Sequence, residues 1–433
     1  MKLFGSSGIR ALFSNKLLTT AFRVGLAVGK NYPDVVIGRD TRTSGDAMKH
    51  ALISGLLSAG ACCKDAGVIP TPTLAYVTRE FDAGVMVTAS HNPPEYNGIK
   101  LFNPDGSSFD SLEQLRIEEI VLAESYDIAA WEKTRHSDVY HGAVENHIKS
   151  ILHNLPSGLN IKVVVDAGCG AASEVTPRLL ERLGCEVVSL NCYPSGFFPR
   201  GSEPVASNLN ELCKLVKESG AAAGIAHDGD ADRMMAVDEK GRFISGDVLL
   251  AILAQAVGAK DIVTTLDASM AIDEMGLKIR RTKIGDTWVS EELRKGGDFG
   301  GETSGAWIFP NISLCPDGIY AAAQIAALAA EYTLSELVDA VPVYTLFRGS
   351  ISSKGFRMSR LQARLMALKP LSVSNIDGIK LDFNDGWLLV RPSGTEPRIR
   401  ITAESKTEGR ARQLYDNCLK ITKESVDIGV KAS

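Results

Sequence analysis

Residues 88–93, with the sequence TASHNP, place a hydroxyl nucleophile beside an imidazole. The apolar run before them, residues 84–87, predicts a short buried strand, and the prolines after them exclude a helix or a central strand. Ser90 is therefore expected on a loop at the end of a strand, exposed enough to react. His91 beside it is expected to exchange a proton near neutral pH. A polar turn without chemistry is the alternative interpretation of this stretch alone.

A second stretch offers a metal site. Asp228, Asp230 and Asp232 alternate with small residues between two apolar runs. Three carboxylates at alternate positions of a turning loop converge on a hard cation such as Mg²⁺. A calcium-binding helix-loop-helix is the more specific alternative, because Glu239 falls at the twelfth position counted from Asp228. The sixth position of such a loop requires glycine, however, and is Arg233 here. The pattern therefore favours magnesium, with a solvated acidic loop as the remaining alternative.

A third stretch, near the C-terminus, has the composition of a phosphate site. It runs RPSGT from residue 391 and follows a predicted hairpin strand. The hydroxyls of Ser393 and Thr395, the approachable backbone at Gly394 and the guanidinium of Arg391 suit a phosphate monoester. A basic turn is the alternative.

Two further loops are informative only in combination. In residues 301–305 (GETSG), the carboxylate of Glu302 and the hydroxyl of Ser304 lie between glycines and can bind adjacent sugar hydroxyls. Residues 4–10 (FGSSGIR) combine small residues with Arg10, so their backbone and guanidinium can approach an anion. A flexible N-terminus explains the second loop equally simply.

The elements that must position these loops follow a repeated order. A strand, a turn, a helix, a stopping glycine and a second strand recur from residues 35, 163 and 262. This order predicts βαβ units with parallel strands, and hence three similar α/β domains with mixed sheets. The helices are expected over residues 44–59, up to about Gly184, and, in a shorter form, up to about Gly276. Residues 168–173 fit a tight strand-to-helix turn better than a dinucleotide loop, because Ser173 replaces the last glycine.

The last segment has a different pattern. Two alternating strands, residues 378–383 and 386–390, flank Asn384-Asp385, which predicts a hairpin. A third strand over residues 398–401 precedes a helix over about residues 407–426. These elements predict a C-terminal α+β domain. The predicted domains are 1–148, 149–246, 247–346 and 347–433.

The bulk properties exclude several classes of function. The 433-residue chain is 45% hydrophobic and 23% charged, with a net charge of −5 and no block of like charges, which argues against nucleic acid as the main ligand. An anionic substrate would need a local basic site. There is no long apolar run, so no membrane span or membrane partner is expected. Eight cysteines without a Cys-x-x-Cys pair, and no signal-peptide pattern, predict a reduced, cytoplasmic protein.

Taken together, the motifs resemble those of the α-D-phosphohexomutase family, whose members interconvert the 1- and 6-phosphates of glucose, mannose, glucosamine and N-acetylglucosamine. The resemblance covers nearly the whole chain in the right order. It implies a heart-shaped enzyme with one deep central cleft, in which three α/β domains are followed by a small α+β domain. It also implies Mg²⁺ as cofactor, a hexose 1,6-bisphosphate as intermediate and activator, and small sugar phosphates as partners. The chain is expected to be a monomer or a homodimer.

The resemblance also assigns roles by motif. Ser90 would bear the phosphoryl group and, with the three aspartates, hold Mg²⁺. The transfer site would be lined by Arg10, His91, Lys100 and Arg233, with His91 and Lys100 as candidates for proton transfer. Substrate would be bound by Lys283, Gly285, Asp286, Glu302, Ser304, Arg391, Ser393, Gly394 and Thr395.

One departure bears on the sugar. Bacterial relatives commonly carry histidine after the GETSG-type loop, whereas Ala306-Trp307 follows here. This pattern resembles the archaeal-type phosphoglucosamine and phosphomannose mutases of the family. Glucosamine phosphate is the preferred substrate prediction, and a phosphomannomutase or phosphoglucomutase with a broad sugar range is the alternative. A phosphatase with Asp228 as nucleophile and a non-catalytic phosphosugar-binding protein are the rivals from other classes.

Overall fold

The computed structural model describes residues 3–5, 8–352, 358–392 and 398–431. The contacts divide the chain into two compact units. The larger unit comprises Met1–Val263 and Gly285–Ala340, and the smaller one comprises Thr264–Ile284 and Val341–Ser433. Among the described residues, none of the helices has the length and apolar character needed to cross a membrane.

The first sheet of the larger unit has six strands in the order β1-β5-β4-β2-β3-β6. Its elements are β1 (Ile9–Leu12), α1 (Asn15–Asn31), β2 (Asp34–Arg39), α2 (Gly45–Ser58), β3 (Cys62–Val68), α3 (Thr71–Val77), β4 (Ala83–Val87), β5 (Tyr96–Phe102), α4 (Ser111–Leu122) and β6 (Ser137–Val139). Strand β2 is parallel to β3 and β4, whereas β5 is antiparallel to β4 and β1. The predicted helix ends where expected, since Gly60 adopts a left-handed φ of 89°.

The second sheet of the larger unit has the order β10-β9-β7-β8. Its elements are α5 (Ala143–His153), β7 (Lys162–Asp166), α6 (Val175–Arg182), β8 (Glu186–Leu190), α7 (Asn210–Ser219), β9 (Ala223–His227), β10 (Met234–Asp238) and α8 (Gly246–Ala256). The predicted βαβ unit is confirmed, because β7 runs parallel to β8. Strands β9 and β10 form an antiparallel hairpin, so the acidic residues 228–232 lie in the connection between two fully buried strands.

A third sheet is made of four strands, β11 to β14. The elements of this part of the chain are β11 (Asp261–Thr265), β12 (Lys278–Thr282), α9 (Asp286–Leu293), β13 (Phe299–Glu302), β14 (Ala306–Ile308), α10 (Gly318–Glu331) and α11 (Leu334–Ala340). The shorter helix predicted to end near Gly276 is present, but it is not an α-helix. Residues Met270–Met275 form a 3₁₀ helix closed by the left-handed Gly276, because six residues between a Ser269 cap and a glycine are too few for a stable α-helix.

The smaller unit contains a five-stranded antiparallel sheet in the order β15-β19-β18-β17-β16. Its elements are β15 (Thr345–Ser352), α12 (Met358–Leu365), β16 (Ser372–Ser374), β17 (Ile379–Phe383), β18 (Gly386–Pro392), β19 (Arg398–Ser405) and α13 (Glu408–Lys431). The hairpin predicted around Asn384-Asp385 is confirmed by the pairing of Phe383 with Gly386. Helix α13 is longer than predicted. The fold class is therefore three α/β domains with mixed sheets followed by a C-terminal antiparallel-sheet domain, as the sequence predicted.

The loops that follow β4 and β9 are held in fixed positions because both strands are buried. All five residues of β4 and all five of β9 are buried, as expected for central strands covered on both faces. The core around β2 and β4 includes Val35, Ile37, Val85 and Val87, packed against α1 and α2. The chain segments that leave the ends of β4 and β9 therefore start from rigid positions.

Candidate active site

The loop after β4 carries Ser90, but the hydroxyl is not exposed. The prediction that this serine would be exposed was wrong, because only 1% of the residue is accessible. The loop between β9 and β10 covers it, and the Ser90 hydroxyl donates a hydrogen bond of 2.8 Å to Oδ2 of Asp228. The sequence could not show this contact, because the two residues are far apart along the chain. The serine and the acidic loop thus form one buried site.

The backbone at Ser90 is held in an uncommon conformation. Its φ is +51°, in the left-handed region that few residues other than glycine adopt. Its N–H donates to Oγ1 of Thr88 at 2.8 Å, and that hydroxyl donates to Asp40 at 2.7 Å. Gly229 approaches from the other side, where a Cβ atom would lie only 2.8 Å from the Ser90 carbonyl oxygen. Only glycine allows this approach of the acidic loop to the serine.

The three aspartates converge as the sequence predicted. Ligand atoms from Asp228, Asp230 and Asp232 all lie within 4.8 Å of one another, and all three residues are buried. Ala231 between them has a left-handed φ of +60°, which turns the chain. Oδ1 of Asp230 and Oδ1 of Asp232 are buried without a hydrogen-bond partner among the described residues. Buried carboxylate oxygens that lack a donor fit a hard cation such as Mg²⁺.

Lys100, from β5, faces the same loop. Its ammonium donates to Oδ2 of Asp230 at 2.8 Å and to Oδ2 of Asp232 at 2.5 Å. Burial opposes the charged form, but the two carboxylates outweigh it and raise the pKa of Lys100. Burial likewise opposes ionisation of Asp230, yet Lys100 and the hydroxyl of Thr71 outweigh it and lower its pKa. Lys100 is therefore a charged amine fixed between two carboxylates.

The remaining titratable groups are shifted by burial. Burial and the neighbouring carboxylates raise the pKa of Asp228 well above its usual value, and the pKa of Asp232 is raised in the same way. Burial, together with Arg233 and Arg10, lowers the pKa of His91 to about 2. The prediction that His91 titrates near neutral pH is thus wrong for this structure. The imidazole is neutral, and its Nδ1 lies 3.4 Å from the Ser90 oxygen.

Two guanidinium groups supply the local positive charge that an anionic substrate needs. The backbone N–H of Arg233 donates to Oδ1 of Asp228 at 3.2 Å, and its side chain pairs with Glu203 at 3.0 Å. Arg10, from β1, donates to the side chain of Asn92 at 3.3 Å, two residues beyond the serine. Its Nε is buried and has no partner within the described part of the chain. Both arginines therefore lie next to the serine loop or the acidic loop.

The predicted sugar loop is attached to the strand that follows the acidic loop. The Met234 N–H donates to the Gly305 carbonyl at 2.9 Å, and the Trp307 indole donates to the Met234 carbonyl at 2.8 Å. Oε1 of Glu302 accepts from the Gly285 N–H at 2.8 Å. Two further predicted residues belong to the same region, since Ser304 donates to Glu302 at 3.5 Å and Asp286 begins α9. The negative charges of Asp286 and Glu302 affect the pKa values of Asp232 and Arg233 respectively.

The smaller unit carries the predicted phosphate-binding arginine. The Arg391 guanidinium donates to Oδ2 of Asp377 at 2.9 Å, and the same oxygen accepts the Ile284 N–H at 3.2 Å. Lys283 precedes Ile284 in this unit. The other three predicted phosphate ligands, Ser393, Gly394 and Thr395, lie outside the described residues.

Sequence reasoning missed several residues that support the site. They reach it from segments without a recognisable pattern: Asp40, Arg42, Thr71, Ser202 and Glu203. The only available indication in the sequence was the pair Asp40 and Arg42, just after the buried strand β2, because charged residues rarely lie next to a buried strand without partners. Ser202 and Glu203 lie in a Pro- and Gly-containing segment that periodicity does not describe.

A buried serine, a carboxylate triad and flanking cations are the groups that metal-assisted phosphoryl transfer uses. The chain matches the phosphoglucomutase/phosphomannomutase family in all four of its domains: alpha/beta/alpha domain I over residues 1–127, domain II over 138–241, domain III over 245–344 and the C-terminal domain over 355–421. The chain belongs to this family. It is therefore a phosphohexomutase, an isomerase that moves a phosphoryl group within a sugar phosphate.

Individual relatives match over their full length. A protein of Methanococcoides burtonii named "Probable phosphoglucosamine mutase" is 48% identical over 99% of this chain and 100% of its own. The phosphoglucosamine mutase of Methanococcus maripaludis strain C7 is 41% identical over 98% of this chain and 99% of its own. Among solved structures, a phosphoglucomutase/phosphomannomutase family protein from Burkholderia thailandensis superimposes with a TM-score of 0.87 at 26% identity, covering 98% of this chain and 97% of that one.

Proposed function

We propose that this enzyme interconverts glucosamine 6-phosphate and glucosamine 1-phosphate, with Ser90 as the phosphoryl carrier and Mg²⁺ as the metal. The observation that carries the proposal is the 2.8 Å contact between the Ser90 hydroxyl and Asp228, within a triad of which two buried oxygens have no hydrogen-bond partner among the described residues. A nucleophile and a cation site in contact are what phosphoryl transfer requires.

The reaction proceeds in two transfers. In the first, the bond between phosphorus and Oγ of Ser90 breaks and a bond to the free sugar hydroxyl oxygen forms, giving a hexose 1,6-bisphosphate. The sugar hydroxyl loses its proton and the serine oxygen regains one. The bisphosphate then turns over and returns its other phosphoryl group to Ser90. Mg²⁺, when bound to the aspartates, neutralises charge on the moving group.

The other site residues stabilise the transferring phosphoryl group or bind the substrate. Arg10, Lys100 and Arg233 are cations beside the serine and acidic loops and stabilise the charge of the transferring phosphoryl group. His91, 3.4 Å from the serine oxygen, and Lys100 are the predicted groups for proton transfer, but the lowered pKa of His91 makes its imidazole a weak base and the raised pKa of Lys100 makes its ammonium a weak acid. Proton transfer through either group therefore requires its pKa to move toward neutral when substrate binds. Glu302 and Ser304 bind sugar hydroxyls, together with the loop of Lys283, Gly285 and Asp286. Arg391, with residues 393–395, holds the phosphate that does not react.

The choice of glucosamine rests on the relatives. Proteins 41–48% identical over nearly the full chain carry the name phosphoglucosamine mutase. Ala306-Trp307 follows the loop that ends at Gly305, where bacterial members commonly carry histidine. A mutase that prefers mannose or glucose phosphate is the second candidate, since the family includes both.

A direct assay tests the proposal. The purified protein, with Mg²⁺ and a trace of hexose 1,6-bisphosphate, is given the 1-phosphates of glucosamine, mannose and glucose in parallel. The expected result is formation of the 6-phosphate with the highest kcat/KM for glucosamine. A higher kcat/KM for mannose or glucose would replace the proposed sugar. Release of inorganic phosphate without isomer would instead support a phosphatase that uses Asp228.

A further inference from the structure

One buried arginine outside the assigned site contacts the serine loop with both terminal nitrogens of its guanidinium group. Arg42 follows β2 and is fully inaccessible. One terminal nitrogen, Nη2, donates to the carbonyls of Ser90 and Asn92, each at 2.7 Å. The other, Nη1, donates to the carbonyls of Pro93 at 2.6 Å and Tyr96 at 2.9 Å. A single side chain thus binds four backbone oxygens of the loop that carries the reacting serine.

The remaining donor of Arg42, Nε, is linked to the N–H of Ser90 through Asp40 and Thr88. Its Nε donates to Oδ2 of Asp40 at 3.0 Å, and that oxygen also accepts the Thr88 hydroxyl at 2.7 Å. Thr88 in turn accepts the N–H of Ser90 at 2.8 Å. Both the N–H and the carbonyl of Ser90 are therefore held, one through Asp40 and Thr88 and the other by Arg42 directly.

The segment between β8 and α7 also contacts Arg42 and the serine loop. The ring of Phe198 lies 5.0 Å from the Arg42 guanidinium, and the Ser202 hydroxyl donates to the carbonyls of His91 and, at 3.0 Å, Asn92. The carbonyls of residues 90–93 consequently all accept hydrogen bonds from Arg42 or Ser202.

From these contacts we propose that Arg42 is the positioning residue of the phosphoryl carrier: it keeps Ser90 in its left-handed conformation, with Oγ directed at Asp228, through both transfers. Its charge is balanced by Asp40 in direct contact, so its contribution is geometric rather than electrostatic. A planar fork with five donors suits four fixed carbonyls and one carboxylate, whereas a lysine ammonium has three donors on a flexible stem. The kinetic part of this inference rests on the proposed function.

The test compares Arg42→Lys with a matched control, Arg79→Lys. The Arg79 guanidinium also stacks on an aromatic ring, 3.9 Å from Tyr76, and donates to the carbonyls of Tyr76 and Ile312, away from the serine loop. In Arg42→Lys, kcat is expected to fall at least about tenfold while KM for glucosamine 1-phosphate stays within about threefold, because misplacement of a reacting atom acts on the transition state. The control should retain wild-type kcat.

Amide hydrogen exchange separates this inference from the proposed function. The peptide covering residues 88–97 is expected to exchange at least about tenfold faster in Arg42→Lys than in the wild type or Arg79→Lys, whether or not the enzyme turns over. Unchanged exchange, or equal losses of kcat and of sugar-phosphate affinity, would overturn the role of Arg42. A wild type that transfers no phosphoryl group would overturn the proposed function instead, and the exchange result would still decide whether Arg42 holds the loop.

Discussion

The hydroxyl of Ser90 donates a 2.8 Å hydrogen bond to Asp228, although 138 positions separate the two residues in the chain. Asp228 is buried with two further carboxylates, and burial raises its pKa. Placing a phosphate on this serine replaces a hydrogen-bond donor by a group of about −2 charge, next to three acids. The phosphorylated enzyme therefore needs the cation more than the free enzyme does.

The first prediction follows from this relationship. Mg²⁺ should bind the Ser90-phosphorylated protein at least about tenfold more tightly than the dephosphorylated protein, because the phosphate adds both charge and oxygen ligands. Calorimetric titration of the two forms measures the difference. Equal affinities would show that the cation does not lie beside the serine.

The second prediction concerns Asp230. Asp230→Asn should lower turnover at least about a hundredfold and raise the Mg²⁺ concentration required, because it removes one carboxylate of a hard-cation site. Activity measured across a Mg²⁺ titration tests this. The matched control is Asp416→Asn, at an exposed position on α13, which should behave as wild type. Wild-type activity of Asp230→Asn at limiting Mg²⁺ would show that Asp230 does not hold the cation.

The third prediction separates binding from chemistry in the smaller unit. Arg391→Ala should raise KM and lower kcat/KM by about tenfold to a few hundredfold with little loss of kcat, because it removes charge-assisted hydrogen bonds to a phosphate that does not react. Asp377→Asn should give a smaller change of the same kind, since Asp377 orients Arg391 at 2.9 Å. Steady-state kinetics and binding titrations check both variants. Unaltered sugar-phosphate affinity in Arg391→Ala would exclude this arginine from the phosphate site.

The fourth prediction is a pH effect on stability. Burial, reinforced by Arg281, lowers the pKa of Lys380 to about 8. The unfolded chain keeps this proton up to the ordinary lysine pKa of ~10.4, so the free energy of unfolding should rise as pH increases from about 8 to about 10.4. Below pH 8 the fold carries a buried charge at a cost of up to about 3 kcal/mol.

At pH 7 Lys380 is charged, so Lys380→Met removes a buried charge and should raise the unfolding temperature of the smaller unit. Near pH 10.5 the folded lysine is already neutral, and the substitution should have little effect. The contact with Trp387, 4.9 Å from the ammonium, is retained in part by the methionine sulfur. Calorimetric scans at the two pH values measure this, with the exposed Lys423→Met as control. A lower unfolding temperature at pH 7 would mean that Lys380 stabilises the fold through its charge.

Much of this architecture was predictable because it depends on local patterns. The βαβ units, the stop at Gly60, the hairpin at Asn384-Asp385 and the convergence of the aspartates all follow from residue types within short windows. The 3₁₀ form of Met270–Met275 was not predictable, because the choice between helix types over six residues depends on the surrounding packing.

The site itself was only partly predictable. The spacing of the motifs identified Ser90 and the aspartates, but not the burial of the hydroxyl or the neutral state of His91, since both arise from segments remote in sequence. Arg42 shows the limit most clearly. Its type and position after a strand indicated that it has a partner, but not that its partners are four carbonyls of a loop some fifty residues later.

The central claim is that Ser90 gives its phosphoryl group to a sugar. The decisive measurement is a single-turnover experiment in which enzyme carrying labelled phosphate is mixed with glucosamine 6-phosphate and Mg²⁺ and then quenched at short times. We predict that label leaves the peptide containing Ser90 and appears on the sugar as bisphosphate before any inorganic phosphate forms, and that Ser90→Ala accepts no label yet still binds the monophosphate. Label found on Asp228, or released directly as inorganic phosphate, would contradict the account.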